Sequence, residues 1–114
     1  MKLICAILLA AAAFAADPKP ETVMVTCVAK NGFESELSQV LKRHWEAVKA
    51  LNLVAPAPHM TLKRVDGGKT TYYEIFTWKD RATPDHAPPA IQAIWAEMNR
   101  YSEKLELVEV TVVP

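Results

Sequence analysis

The stretch Tyr72-Tyr73-Glu74-Ile75-Phe76-Thr77-Trp78 decides the fold of this 114-residue chain. Side chains alternate across a β-strand, so this stretch divides into two sets. One face is expected to carry Tyr72, Glu74, Phe76 and Trp78, and the other Tyr73, Ile75 and Thr77. Neither set has the polar character of a solvent-facing surface. The stretch therefore predicts a strand covered on both faces, with one carboxylate among aromatic rings.

The residues just before this stretch predict a hairpin. Thr70 to Lys79 is predicted as a strand, and His59 to Asp66 as the strand before it. Asp66-Gly67-Gly68-Lys69 joins the two, and glycine supplies the positive φ angles that a two-residue turn needs. These two strands are therefore expected to be antiparallel neighbours.

The remaining elements follow from periodicity. A valine- and threonine-rich strand is predicted from Thr22 to Ala29, and a helix from Phe33 to about Asn52. After a proline-rich loop, a second helix is predicted from about Pro89 to Lys104, and a last strand from Leu107 to Val113. The order β-α-β-β-α-β is that of a ferredoxin-like α+β sandwich, with a four-stranded antiparallel sheet and both helices on one face.

The first fifteen residues have the pattern of a secretory signal peptide. Lys2 precedes an apolar run from Leu3 to Phe14, and Ala13-Phe14-Ala15 is a small-x-small cleavage site. The run is shorter than the about 20 residues that span a bilayer, so no stable membrane anchor is expected after cleavage. We predict a secreted or periplasmic protein with an extended tail over residues 16–21 and one domain over residues 22–114.

Charge and cysteine content exclude several classes of function. The chain has 13 Lys and Arg against 13 Asp and Glu, and loss of Lys2 leaves one excess negative charge. That balance gives no electrostatic attraction to nucleic acid. Cys27 is the one cysteine left after cleavage, so we expect a small buried side chain and no intrachain disulfide. His44, His59 and His86 lack the short spacings of zinc sites, so no metal is expected.

The two-sided sheet predicts a partner. Two helices cover one face of a four-stranded sheet, yet the first and third predicted strands are apolar on both faces. A second copy packed sheet against sheet would cover the other face, so a homodimer is expected.

The element order, together with Tyr73-Glu74-Ile75-Phe76, Trp78, Asp80 and His86, resembles the dimeric α/β-barrel superfamily. The resemblance is to its antibiotic biosynthesis monooxygenase-like domains in particular. It implies a dimer whose two sheets form a barrel, with a small pocket in each subunit between helices and sheet. Members include cofactor-free monooxygenases of aromatic polyketides, haem-degrading enzymes and isomerases.

The haem-degrading members differ from this chain on the first strand. The resemblance implies a site made of an asparagine on that strand, an aromatic residue on the third strand and a histidine beyond it. Phe76 or Trp78 matches the aromatic position and His86 the histidine position. The first strand, Thr22 to Ala29, has no asparagine, which argues against haem.

Two residues are candidates for proton transfer. Glu74 lies between aromatic residues, where the charged form of a carboxylate is disfavoured, and this suits it to act as an acid or a base. The alternative is a rim carboxylate paired with Lys63 or Arg64 across the hairpin. His86 lies in a proline-rich loop, where a histidine can shuttle protons near neutral pH, or else is a plain exposed loop residue.

Four further residues are candidates for ligand binding. Tyr72, Phe76 and Trp78 would form an aromatic wall, and His44 lies on the apolar stripe of the first helix. Core packing is the alternative for all four. The leading hypothesis is a protein that binds a small aromatic or apolar molecule. If it is an enzyme, we expect a cofactor-free oxygenase or isomerase activity. The alternative is a noncatalytic dimer.

Overall fold

The computed structural model describes residues 19–114, which form a four-stranded antiparallel sheet with two helices packed on one face. The elements in chain order are β1 Glu21–Ala29, α1 Glu34–Ala50, β2 Met60–Asp66, β3 Lys69–Trp78, α2 Pro89–Tyr101 and β4 Ser102–Glu109. The sheet order is β2-β3-β1-β4. The predicted ferredoxin-like fold is confirmed, and the predicted signal peptide lies outside the described residues.

The hairpin between β2 and β3 fixes the register on which the site depends. Gly67 and Gly68 have φ angles of 59° and 77°, so both central residues of the turn are left-handed. Asp66 pairs with Lys69 next to this turn. Such a turn matches the twist of the two strands and sets every later pair. Thr61 consequently lies opposite Glu74.

The side of the sheet that faces the helices forms the core. Val23, Val25 and Cys27 on β1 pair with Phe76, Glu74 and Tyr72 on β3, and all six are buried. α1 contributes its predicted apolar stripe, whose buried members are Leu37, Val40, Leu41, His44 and Val48. Alternation along the strands and the helical repeat of α1 thus meet on one face.

Local chemistry ends α1 close to the predicted boundary. Glu34 and Glu36 lie in its first turn and Lys49 in its last, which suits the helix dipole at both ends. Asn52 takes a left-handed φ of 58° and its N–H bonds to the carbonyl of Lys49 at 3.1 Å. Asparagine tolerates this conformation better than most residues, so the helix ends here. In residues 19–114, no helix is long and apolar enough to cross a membrane.

The predicted limits of the first and last strands are wrong. β1 begins at Glu21, which was expected in the tail, because Glu21 pairs with Trp78. The last strand runs from Ser102 to Glu109 instead of Leu107 to Val113. Its length is set by β1, along which it pairs from Ala29 to Val23.

The shift of β4 also shortens the second helix, which was expected to reach Lys104. α2 ends at Tyr101, and Ser102 is already extended. The Ser102 hydroxyl donates to the Met98 carbonyl at 2.6 Å, which satisfies one of the free carbonyls at the helix end. The helix therefore passes into β4 without a loop.

The other face of the sheet is apolar and uncovered by the described residues. Met60, Leu62 and Val108 are each close to half exposed there, beside the partly buried Met24 and Tyr73. Met24 and Tyr73 alternate with the buried residues of β1 and β3. Both faces of the sheet thus carry apolar side chains, as the sequence predicted.

The environment of Cys27 shows that the core excludes water. Its side chain is fully buried, and burial raises the pKa of the thiol from 9.0 to about 11, against the opposing effect of a hydrogen bond with Ser102. The negative charge of Glu74 adds to the increase. The folded chain therefore keeps this thiol protonated at pH values where the unfolded chain ionises it.

This difference predicts a loss of stability in alkaline solution. Below pH 9 both states carry the proton, and between pH 9 and about 11 only the unfolded state releases it. At the end of that window, this ionisation has lowered the free energy of unfolding by about 2 kcal/mol. Urea unfolding of the natural chain and of Cys27→Ala should show the stability difference between them changing by this amount from pH 8 to pH 11. A difference that stays constant with pH contradicts the assignment.

Candidate functional site

Glu74 is the centre of a buried polar cluster. Its side chain has no exposed surface, and one oxygen, Oε1, lies 2.9 Å from Nδ1 of His44, which is 1% exposed. The other oxygen, Oε2, lies 3.3 Å from Nε2 of His59. A buried carboxyl group is tolerated only when its oxygens have partners, and here each oxygen has a histidine.

Each member of the cluster is positioned by a different element. Glu74 points to the helix side because it alternates with Ile75 on β3. His44 lies one turn after Leu41 on the buried stripe of α1, directly above the sheet. His59 precedes β2, two residues before Thr61, and so shares the face of Glu74 through the hairpin register.

Trp95 on α2 completes the cluster and fixes the tautomer of His44. Its indole Nε1 donates to Nε2 of His44 at 3.0 Å. An indole nitrogen is a donor only, so Nε2 of His44 must be the acceptor and carry no proton. The proton of a neutral His44 is then on Nδ1 and is donated to Glu74. His44 is therefore a neutral imidazole whose basic nitrogen faces Trp95.

The contact of 3.3 Å between Glu74 and His59 can form with either partner as the donor. An ionised Glu74 accepts an N–H from His59, and a protonated Glu74 donates its O–H to an unprotonated Nε2. His59 is the cluster member that reaches solvent, with 20% of its side chain exposed.

An apolar pocket of about 330 Å³ lies beside His44. Its lining combines strand, helix and loop residues: Val25, His44, Phe76, Trp78, Pro84, Trp95, Met98, Asn99, Leu105 and Leu107. The aromatic rings meet edge to face, with centroids 4.8 Å apart for Phe76 and Trp78 and 6.2 Å apart for Trp78 and Trp95. This edge-to-face geometry is favourable for aromatic rings and gives the pocket an apolar aromatic wall.

A second cavity of about 270 Å³, the side groove, lies at the His59 end of the cluster. Its lining is more polar and consists of Ser38, Leu41, Lys42, Trp45, His59, Thr61 and Tyr72. The rings of Trp45 and His59 stack there at 3.8 Å and within 4° of parallel. Hydrogen bonds from Trp95 through His44 and Glu74 to His59 thus connect the apolar pocket with the side groove.

The candidate site residues from the sequence separate into groups. Glu74 and His44 are bonded to each other, and His44, Phe76 and Trp78 line the apolar pocket. Tyr72 lines the side groove, where its hydroxyl donates to the Glu34 carbonyl at 3.1 Å. The partners of Glu74 are the two histidines rather than Lys63 or Arg64.

The structure places His86 away from this cluster. It is exposed at the end of a 3₁₀ turn, Thr83–His86, and lines a separate depression of about 240 Å³. Asp80 shares that depression, and hydrogen bonds from Thr83 lower the pKa of its carboxyl. The loop reaches the apolar pocket only through Pro84.

Two members of the cluster have little sequence signal. His59 opens a predicted strand and was considered only as a zinc ligand, although the register of the Gly67-Gly68 turn already puts it on the face of Glu74. For Trp95, nothing in the local sequence shows which group its N–H meets. Within residues 19–114, no group of three or more histidine, cysteine or acidic side chains is placed to hold a metal ion.

Comparison with solved structures agrees with this architecture. SnoaB, a cofactor-independent oxygenase from Streptomyces nogalater, superimposes with a TM-score of 0.61 at 19% identity, covering 84% of this chain and 96% of that one. An antibiotic biosynthesis monooxygenase gives 0.59 at 18% identity over 84% of this chain and 100% of the other. The chain has the fold of the antibiotic biosynthesis monooxygenases.

The monooxygenase-like fold extends to other solved proteins. A protein of Arabidopsis thaliana superimposes with a TM-score of 0.62 at 14% identity, covering 82% of this chain and 96% of that one. No protein-family model and no curated protein sequence matches the chain. The likeness is therefore one of fold, and it agrees with the predicted ferredoxin-like α+β arrangement.

The cluster predicts an unusual response to neutralising Glu74. In Glu74→Gln, the amide oxygen can accept from His44 and the amide N–H₂ can donate to His59, while the buried carboxyl is gone. We expect the variant to be as stable as the natural chain or more stable, as is common when a functional site is replaced. Urea unfolding at pH 7 measures this.

Two further variants complete that measurement. Glu74→Ala leaves both histidines without their partner and opens a cavity, so it should lose about 2–4 kcal/mol. Glu46→Gln makes the same chemical change at an exposed site and should have little effect. A loss in Glu74→Gln as large as that in Glu74→Ala would show that an ionised Glu74 is needed for stability.

Proposed function

We propose that the chain binds a small, flat aromatic molecule in the apolar pocket and removes a proton from it. His44 is the base, and Glu74 holds it in the required tautomer. The observation that carries the proposal is the position of His44, between a fully buried carboxyl group and an apolar pocket. This is the arrangement in which an orienting carboxylate prepares a histidine for proton transfer.

The ligand class follows from the lining of the pocket. Phe76, Trp78 and Trp95 offer rings to a planar ligand, and the pocket also contains the polar side chains of His44 and Asn99. A ligand with a hydroxyl group or an acidic C–H next to an aromatic ring would fit both features. Its polar group would take the place of Trp95 at Nε2 of His44.

Proton removal is sufficient for either reaction class. The carbanion formed next to the aromatic ring can be reprotonated at another carbon, and this reaction is an isomerisation. It can instead be oxidised by O₂, so that a CH₂ group becomes C=O and the second oxygen atom leaves as water. The substrate supplies the electrons in that case, and the residues of the chain transfer only protons. SnoaB, with the same fold, is described as a cofactor-independent oxygenase, which supports the second class.

A noncatalytic function is the second candidate. Every nitrogen of His44 and both oxygens of Glu74 already have partners, and Phe76 and Trp78 pack edge to face. These contacts would serve a purely structural core equally well. The two candidates differ in whether a C–H acid exchanges its proton in the pocket.

The probe 2-tetralone tests this difference, because its CH₂ between ring and carbonyl is acidic and the molecule is flat. In D₂O, the natural chain should accelerate deuterium exchange at that carbon, as followed by proton NMR. His44→Gln should lower the rate on the order of 10²-fold, the usual contribution of a general base. Glu46→Gln, on the same helix and exposed, is the matched control and should exchange like the natural chain.

Two results would count against the catalytic proposal. One is exchange no faster than in buffer alone, with no change in tryptophan fluorescence on addition of 2-tetralone. The other is acceleration that His44→Gln leaves intact. The first favours the noncatalytic candidate, and the second moves the base elsewhere in the pocket.

We also propose that a second copy covers the open face of the sheet. Its apolar side chains include Met24 and Tyr73 on the two central strands and Met60, Leu62 and Val108 on the two outer strands. Charged pairs lie further along the outer strands, Arg64 with Asp66 on β2 and Lys104 with Glu106 on β4. An apolar surface bordered by charged side chains is a usual composition of a protein interface.

Sedimentation velocity of the processed chain, residues 16–114, tests the dimer. We expect a two-fold assembly at micromolar concentration, and dissociation when Leu62→Glu puts a charge among the apolar side chains of the face. Secretion of the processed chain would be checked in the same expression experiment, from the mass of the exported product. A folded monomer at micromolar concentration overturns the dimer.

A further inference from the structure

The side groove has no part in the proposed reaction, and its chemistry differs from that of the apolar pocket. It lies between α1 and β2, which is an edge strand of the sheet. Leu41, Trp45 and Tyr72 give the groove apolar and aromatic walls, and Leu41 is buried beneath it. The polar members of its lining are Ser38, Lys42, His59 and Thr61.

Lysine side chains border the side groove. Lys42 is part of its lining, and Lys63 follows Thr61 by two residues on β2 and so shares its face of the strand. The Lys49 ammonium lies 5.7 Å from the centre of the Trp45 ring. Within residues 19–114, neither Lys42 nor Lys63 has an ion-pair partner. No acidic residue belongs to the lining of the groove, so its charge is complementary to an anion.

Two acidic residues of α1 lie one helical turn from the lining residues. Glu34 precedes Ser38 by four positions, and its Oε1 accepts the Gly32 N–H at 3.3 Å. Glu46 follows Lys42 by four positions and is exposed, but the two side chains form no ion pair in the described part of the chain. The Lys42 ammonium is therefore free to contact a ligand.

His59 supplies the second polar contact of the groove. Its Nε2 lies 3.3 Å from Glu74 and 3.4 Å from the Thr61 hydroxyl. Its Nδ1 forms no hydrogen bond with any residue that the structure describes. An ionised Glu74 requires the proton on Nε2, so Nδ1 can take a second proton from water and donate it to an anion. An anion beside the ring favours this doubly protonated form.

We propose that the side groove is a second ligand site, for a small carboxylate that carries one aromatic ring. The carboxylate contacts the Lys42 ammonium and Nδ1 of His59, and the ring lies against Leu41 and Tyr72. The groove volume of about 270 Å³ is below the about 300–1,000 Å³ of sites for drug-sized ligands, so the ligand is small. The apolar walls favour a ligand with a ring over an inorganic anion.

Benzoate is the probe that tests the site, by NMR titration of the ¹⁵N-labelled chain. The three tryptophans report on different places, because Trp45 lines the side groove and Trp78 and Trp95 line the apolar pocket. We expect benzoate to produce a saturable shift of the Trp45 indole N–H signal. Benzyl alcohol has the ring without the charge, and inorganic phosphate has the charge without the ring. Each should bind at least about tenfold more weakly than benzoate.

Variants of Lys42 test the charged contact. Lys42→Gln should lower the affinity for benzoate about tenfold, the usual effect of losing a charge-assisted hydrogen bond. Lys42→Arg keeps the charge and should bind benzoate within about threefold of the natural chain. The matched control is Lys104→Gln, which makes the same change on β4, at the opposite edge of the sheet. It breaks only the exposed pair with Glu106 and should bind benzoate like the natural chain.

Three results would overturn the site. The first is a benzoate titration that shifts Trp78 and Trp95 but not Trp45, which would place the ligand in the apolar pocket. The second is equal affinity for benzoate and either of the other two probes. The third is an affinity that Lys42→Gln leaves unchanged. None of these results depends on the exchange of 2-tetralone, so the second site and the proposed reaction succeed or fail separately.

Discussion

One buried carboxyl group imposes most of the structure around it. Glu74 lies in the middle of β3 with no exposed surface, under a layer of helices. A carboxyl group in such a place is costly unless both oxygens are hydrogen bonded. That requirement brings His44 from α1 and His59 from the start of β2 to the same point. The contact of His44 with Trp95 then ties α2 to the same cluster.

The fold supplies this cluster with two different environments. On one side, the aromatic side chains of β3 and α2 form a pocket that offers few polar groups apart from His44. On the other, His59 stacks on Trp45 in a groove that is open to water. His44, which lines the apolar pocket, and His59, which is partly exposed in the side groove, are joined by one carboxyl group. The proposed proton removal uses the pocket side of this arrangement.

The sequence predicts the architecture well because the relevant signals are local. Two glycines fix the hairpin, alternation marks β1 and β3, and a three- and four-residue period marks α1. Strand boundaries that depend on a partner strand are harder to predict from the sequence, so the predicted β4 begins and ends too late in the chain. Its true limits come from pairing with β1, which no local pattern encodes.

The site could be predicted only in part for the same reason. Glu74 stands out because packing does not explain a carboxylate among aromatic residues, and His44 because it interrupts an apolar stripe. His59 requires the hairpin register to be extended past the end of β2. Trp95 requires knowledge of how α2 packs on α1. The sequence interpretation chose His86 from its loop, but loop position gives no information on distance, and the cluster formed elsewhere.

The central claim is that His44 is a neutral base with its proton on the nitrogen that faces Glu74. The ¹⁵N chemical shifts of the two ring nitrogens of His44 measure this directly at neutral pH. The account predicts a protonated Nδ1 and an unprotonated Nε2 that accepts the hydrogen bond from Trp95. A proton on Nε2, in either the opposite tautomer or the doubly protonated cation, would contradict it.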